Sequence, residues 1–167
     1  LELKTINEHL PSLEKLNNWK IFNFNLQQND NFPLKSFELN DKDPAKYMLG
    51  NMAKLKDGEL MVFQIVLTAR SRPKKAFQIN EKSLNANYYS VLNTKKVQPI
   101  LNSSIRLLVL STTNIEINRR AASFKSAMAL YDNPGYQSLS LLKLPRIKLI
   151  NQFLLWTFYN RLNTLIF

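Results

Sequence analysis

The 167-residue chain is 45% hydrophobic and 21% charged, which is typical of one folded domain and excludes a disordered chain. It has no cysteine and a single histidine, His9, so disulfides, thiolate nucleophiles and cysteine-based metal sites are excluded and a catalytic histidine is disfavoured. The net charge of +11 is uneven, because residues 1–69 carry 8 Lys/Arg and 9 Asp/Glu whereas residues 70–167 carry the remaining 15 and 3.

The first part of the chain predicts a strand followed by a helix. Alternating aromatic and aliphatic side chains indicate a strand over 19–26, although 32–39 competes for the same place. The helix is predicted over 43–56, because Asp43 is a typical N-cap and Pro44 suits the first helical position.

Two more strands, a second helix and a returning strand are predicted further along. The segment 59–70 alternates as a strand does, and 104–112 is apolar on nearly every position of both faces. The apolar face of the first of these strands consists of Met61, Phe63, Ile65, Leu67 and Ala69. Residues 113–116 match a capping box that opens a helix, and 136–144 is the returning strand.

The order β-α-β-β-α-β predicts an α+β domain of the ferredoxin-like type, with an antiparallel sheet and two helices on one face. We expect this domain to span residues 19–145. An N-terminal extension of residues 1–18 precedes it, a long insertion over 71–102 separates its central strands, and an apolar C-terminal helix over 146–167 follows. No signal-peptide pattern is found near Leu1, and we expect the chain to be part of a longer protein.

The insertion and the residue before it form the main cluster of positive charge. Its candidate residues for binding nucleic acid or another anionic surface are Arg70, Arg72, Lys74, Lys75, Lys82, Lys95 and Lys96. Such a field attracts polyanions without selecting a sequence, so a solvated surface or an acidic protein partner stays open as an alternative.

The C-terminal stretch 146–167 is apolar, but polar residues interrupt it before it reaches the length of a membrane span. It predicts a helix that docks onto a partner or a neighbouring domain, or that lies at a membrane interface; packing into the core of this domain is the other interpretation. The candidate docking residues are Leu154, Trp156, Phe158 and Leu165.

No constellation for bond chemistry is readable. The chain has only 3 glycines and none lies in a phosphate-binding loop, which excludes a P-loop ATPase core from these residues. The neighbouring carboxylates of Asp41 with Asp43, and of Asp57 with Glu59, are explained by helix capping and turns. We therefore predict no catalytic residues, no metal site and no cofactor.

An RNA-recognition domain shares the same element order and is the main structural rival. Such domains expose aromatic side chains on the central strands for base stacking. Here 104–112 has no aromatic residue, and Phe63 lies on the predicted core face of its strand. The aromatic residues Phe77, Tyr88 and Tyr89 within the basic insertion leave single-strand binding open.

Several short segments resemble the domain that precedes the ATPase core in conjugation-type (type IV secretion) DNA-translocating ATPases. The segments are 32–37 with Asp43-Pro44, 56–59 with Gln64-Ile65, Ile105-Arg106 with Phe124-Lys125, and Tyr159-Asn160-Arg161. The resemblance spans residues 19–167 and carries no catalytic residue.

The resemblance implies a non-catalytic docking and assembly domain of a DNA-transfer ATPase, whose partners are other subunits or domains of a larger oligomeric assembly. It also implies a cytoplasmic location, with peripheral attachment at the inner face of the cell membrane. The alternative function is a basic nucleic-acid-binding or ribonucleoprotein component, with single-stranded DNA or RNA as the partner. An anionic membrane surface is a third partner that the charge allows.

Overall fold

Four strands and three helices make up the part of the chain that the computed structural model describes, namely residues 18–28, 32–35, 43–69, 101–142 and 148–161. In chain order the elements are β1 (Trp19–Leu26), α1 (Pro44–Met52), β2 (Leu60–Ala69), β3 (Leu101–Leu110), α2 (Asn114–Met128), β4 (Leu139–Leu141) and α3 (Lys148–Tyr159), with a 3-10 turn (Ala129–Tyr131) after α2. The strands form one antiparallel sheet in the order β2-β3-β1-β4. The prediction of an α+β fold with four antiparallel strands is confirmed.

The first two helices begin at the residues that their sequence signals predict. The Oδ1 atom of Asp43 accepts the backbone N–H of Ala45 at 2.9 Å, and the Oγ1 atom of Thr113 accepts the N–H of Glu116 at 3.2 Å. Each cap satisfies a donor that has no partner within its own helix. After α1, Gly58 adopts a φ of 80°, the left-handed conformation that lets the chain turn into β2.

The first face of the sheet is covered by α1 and α2. Its buried core consists of Phe24, Met61, Leu107, Val109, Ile117, Ala121, Phe124, Met128 and Leu139. Phe124 of α2 lies at the centre of this core, because its ring centroid is 5.1 Å from that of Phe63 and 6.3 Å from that of Phe24. The side chains of Met48 and Met52 bring α1 onto the same core.

The second face of the sheet carries α3. Leu155 and Phe158 of that helix are buried against Leu108 of β3, with Ile21 and Val62 packed around them. The protein therefore has three layers in its described part: α1 and α2, the sheet, and α3. Among the described elements, α3 is therefore an outer layer.

Several element boundaries differ from those predicted; among them, α1 ends at Met52 rather than at Lys56. The strand β4 has three residues rather than the nine of 136–144, because Asn133 and Gln137 pair in a tight turn and the Oδ1 atom of Asp132 accepts the N–H of Leu139 at 2.9 Å. The strand β3 begins at Leu101, so the last two residues of the predicted 71–102 insertion lie in the sheet. Residues 32–35 are not a strand.

The predicted apolar face of β2 is buried at only one end. Met61 is buried and Phe63 packs against the core, whereas Ile65 and Leu67 are exposed. Met61 lies opposite the buried Val109, whereas Ile65 and Leu67 lie towards the end of β2 that pairs with Leu101. The alternation in the sequence predicted correctly which side chains of β2 share the core face, but it did not predict how much of that face is buried.

Candidate docking surface

The helix α3 joins the sheet through one side only. Leu154, Leu155 and Phe158 are buried, with 2%, 8% and 1% of their surface exposed. Spacings of three and four residues place Leu154 and Leu155 on the same side of the helix as Phe158. This side faces β3, where Leu108 is fully buried.

A row of polar side chains crosses the sheet next to this contact. Asn23 of β1, Arg106 of β3 and Gln64 of β2 lie side by side, because the register pairs Arg106 with both neighbours. Residues in register on adjacent strands point to the same face of a sheet. We call these three residues the polar row, and it lies on the face that α3 covers.

Arg106 connects the polar row to α3. Its side chain is fully buried; Nε donates to the Oγ atom of Ser104 at 3.0 Å, and Nη1 donates to the Oγ1 atom of Thr157 at 3.4 Å. Burial lowers the pKa of the guanidinium from its ordinary value, since desolvation penalises the charged form. An arginine remains charged in spite of such a shift, so this bond between sheet and helix is charge-assisted.

Gln64 fixes the end of the same helix. Its Nε2 atom donates to the backbone oxygen of Phe158 at 3.1 Å. That carbonyl belongs to the last turn of α3, where backbone oxygens have no partner within the helix. The backbone N–H of Arg161, which has a positive φ of 52°, donates to the same oxygen at 3.2 Å and ends the helix.

Not every atom of the polar row is satisfied. Among the described residues, no hydrogen-bond partner reaches the two buried polar side-chain atoms of Asn23 or the buried Oε1 atom of Gln64. Each such group costs free energy relative to its hydration in the unfolded chain. The contact between α3 and the sheet is thus specific in position but carries a desolvation penalty.

The opposite side of α3 is apolar and exposed. Leu149, Phe153 and Trp156 follow each other at i, i+4 and i+7, with 75%, 53% and 55% of their surface exposed. The rings of Phe153 and Trp156 are stacked with their centroids 6.2 Å apart. We call these three residues the outer stripe; Tyr159 lies at its border.

A second buried charge, Glu59, holds the start of β2 to α2. Its Oε2 atom accepts the backbone N–H of Lys56 at 2.9 Å and Nη2 of Arg120 at 2.5 Å, and its Oε1 atom accepts the hydroxyl of Ser111 at 2.9 Å. The Lys56 N–H, followed by Arg120 and Ser111, lowers the pKa of Glu59 to about 2. A carboxylate held in this way is a poor proton carrier near neutral pH, so we interpret the group as structural.

The structure separates the predicted docking residues. Leu154 and Phe158 are buried inside this chain, Trp156 is exposed on the outer stripe, and Leu165 lies outside the described residues. Among the predicted docking residues that the structure describes, Trp156 is the one that a partner could reach. The predicted anion-binding residues all lie outside the described residues as well: Arg70, Arg72, Lys74, Lys75, Lys82, Lys95 and Lys96.

Sequence reasoning missed Leu149 and Phe153, although their signal was present. Leu154 and Trp156 are two residues apart and therefore point to different sides of a helix, whereas Leu149, Phe153 and Trp156 keep helical spacing. A choice by spacing rather than by hydrophobicity would have found the outer stripe.

Within the described ranges, no group of three or more His, Asp or Glu side chains is placed to hold a metal ion. None of the helices in the same ranges combines the length and the apolar character that a bilayer-crossing segment requires.

No family model matches the chain, and comparisons with curated proteins and with solved structures also return no match.

Proposed function

We propose that this chain is a non-catalytic docking and assembly domain. The observation that carries the proposal is the division of α3 into two apolar sides, one buried on the sheet and one exposed as the outer stripe. A helix that is apolar all round is normally buried on all sides. An exposed apolar surface on the outermost layer of a protein is typical of an interaction site.

Hydrogen bonds from the sheet to α3 strengthen the case for a docking function, because they hold the helix in one orientation. From the sheet, Arg106 donates a hydrogen bond to the side chain of Thr157, and Gln64 donates one to the carbonyl of Phe158 at the end of the helix. Both bonds fix the rotation of α3 about its own axis, and so they fix the direction in which Phe153 and Trp156 point. A rigid presentation lowers the entropy lost on binding.

The finer fold assignment is part of the same proposal. We propose a ferredoxin-like domain, supported by the strand order β2-β3-β1-β4 and by the position of α1 and α2 on one face of the sheet. On this assignment α3 is an addition that covers the second face, the face that an RNA-recognition domain keeps open for bases.

The proposed assembly is a conjugation-type DNA-transfer ATPase, which rests on the sequence resemblance over residues 19–167. The resembling segments contain residues with structural roles; for example, Glu59 forms the buried pair with Arg120, and Arg106 supports α3. The coding sequence around the chain tests this part. Walker A and B motifs downstream or in an adjacent gene are expected; their absence would remove the DNA-transfer assignment.

The docking role is tested in donor cells that carry the gene with its flanking coding sequence. Phe153→Ser and Trp156→Ser are expected to lower DNA transfer by about tenfold or more, because exposed aromatic anchors carry much of the energy of an interface. Ile115→Ser is the matched control, since Ile115 is an apolar side chain that is 79% exposed on α2. Equal transfer by all variants, at equal protein levels, would contradict the proposal.

Nucleic-acid binding is the second candidate, supported by the net charge of +11. Its main residues lie outside the described part, so charge is its only support. Binding isotherms on single-stranded DNA and RNA at several salt concentrations test it, because phosphate contacts release counterions. Affinity that falls steeply with salt is expected on this candidate, and salt-independent binding would remove it.

A further inference from the structure

The outer stripe has the composition of a membrane-interface contact. Its members are one leucine and two aromatic residues, and Trp156 lies beside Tyr159 at the C-terminal end of α3. Tryptophan and tyrosine are enriched at the level of lipid headgroups, where the ring is apolar and its polar atom reaches water. Helices that lie in the plane of the interface bury a stripe of this kind among the acyl chains.

The sequence around α3 is basic, which suits an anionic surface. Residues 133–167 contain no Asp or Glu, and their four basic residues are Lys143, Arg146, Lys148 and Arg161. The helix itself begins at Lys148 and is followed after two residues by the exposed Arg161. Basic residues at both ends of an interfacial helix are attracted by the negative potential of anionic lipids.

The size of the outer stripe disfavours a stable protein dimer as its occupant. Taking roughly 200 Å² for each side chain, the exposed fractions of its three members leave roughly 370 Å² of apolar surface. A standard protein interface buries roughly 800 Å² on each partner. A membrane has no such minimum area, because binding grows with the buried apolar area and with charge.

We infer that the outer stripe of α3 rests on an anionic membrane surface, with the helix axis parallel to the bilayer. The inference rests on the proposed docking function and names the partner of the same surface. The sheet lies behind α3, so Phe153 and Trp156 enter the interface while Leu154 and Phe158 stay in the protein. Arg161, which is exposed two residues beyond the end of α3, then lies near the lipid phosphates.

Vesicle binding by the complete 167-residue chain tests the inference. The probes are phosphatidylcholine vesicles with and without phosphatidylglycerol. The chain has two tryptophans, so Trp19→Phe leaves Trp156 as the only reporter. We expect co-sedimentation with the anionic vesicles, weaker binding at higher salt, and a shift of the Trp156 emission to shorter wavelength.

Substitutions distinguish vesicle binding through the outer stripe from binding through basic residues alone. Phe153→Ser is expected to weaken vesicle binding by about tenfold or more, since the side chain no longer leaves water. Ile115→Ser should bind as the unchanged chain does, and circular dichroism checks that both variants are folded. Equal binding of Phe153→Ser and the unchanged chain would overturn the inference, because basic residues alone would then explain the attachment.

Other occupants give distinct results that also overturn the inference. A second copy would show as a concentration-dependent dimer in sedimentation with Trp156 shielded, and no affinity for either vesicle. Cover by another part of this chain would show as Trp156 emission that is already at short wavelength and is not quenched by acrylamide. If Phe153→Ser loses DNA transfer and the unchanged chain binds no vesicles, the membrane is removed as the partner but the docking function is kept. If the unchanged chain binds vesicles and Phe153→Ser transfers DNA normally, the membrane is kept as the partner but the docking function is removed.

Discussion

The two faces of the sheet are packed in different ways. On the first face, α1 and α2 enclose a continuous apolar core around Phe124, in which three aromatic rings meet. On the second face, a small apolar cluster at Leu108 lies beside the polar row of Asn23, Arg106 and Gln64. A single helix, α3, covers this mixture within the described part of the chain.

The two kinds of packing have different roles: the first face stabilises the fold, and the second face orients α3. Apolar packing is strong but has little directional preference, so the first face supplies most of the free energy of folding. The hydrogen bonds of Arg106 and Gln64 are directional, so the second face fixes how α3 is rotated. The rotation matters because it decides which residues form the outer stripe.

The largest expected effect is on the first face. Phe124→Ala removes the ring at the centre of the core, and we expect the free energy of unfolding to fall by about 3–5 kcal/mol. Urea denaturation measures it. Ile115→Ala on the same helix is the control and should stay within about 0.5 kcal/mol of the unchanged chain. A small effect of Phe124→Ala would mean that this face is not the main core.

The buried pair of Glu59 and Arg120 is expected to give the next effect. Glu59→Gln removes the charge that accepts from the Lys56 N–H and from Arg120, so we expect a loss of about 2 kcal/mol at neutral pH.

The pH dependence follows from the pKa of Glu59, which is lowered from 4.5 to about 2 on folding. A carboxyl group with a lowered pKa in the folded state contributes its full stability above 4.5 and loses it as the pH falls towards 2. Unfolding of the unchanged chain and of Glu59→Gln, measured between pH 6 and pH 2, should therefore converge. A constant difference over this range would contradict the assignment.

The smallest effect has the opposite sign and lies on the second face. Asn23 buries two polar atoms that no hydrogen-bond partner reaches among the described residues, so Asn23→Leu is expected to raise the free energy of unfolding by about 1 kcal/mol. Asn25→Leu, on the same face but only half-buried, is the control and should give no gain. Destabilisation by Asn23→Leu in a chemical denaturation series would show that the amide is satisfied in solution.

The sequence predicted the elements of the sheet and of the first face well, because each signal is local. The N-caps Asp43 and Thr113 act on their own helices, and the alternation of β2 assigned Met61 and Phe63 to the core. The second face could not be predicted in this way. That Arg106 would be covered by α3 depends on contacts between residues about fifty positions apart, such as the one with Thr157.

The same limit applies to α3. The sequence indicated an apolar C-terminal helix but left core packing and docking as alternatives. The structure shows core packing on one side of α3 and an exposed apolar surface on the other. The packing of Phe158 on Leu108 and the hydrogen bonds from Arg106 and Gln64 together decide that Phe158 faces inwards and Phe153 outwards. The helical spacing of Leu149, Phe153 and Trp156 places them on one side of α3, but it does not show which side faces the sheet.

The most direct test of the account is therefore the difference in the free energy of unfolding between Phe158→Ala and Phe153→Ala. The two variants remove the same side chain from opposite sides of one helix, five residues apart. We predict a loss of about 3–5 kcal/mol for Phe158→Ala and a change within about 0.5 kcal/mol for Phe153→Ala. Equal losses, or a larger loss for Phe153→Ala, would show that α3 does not present the outer stripe.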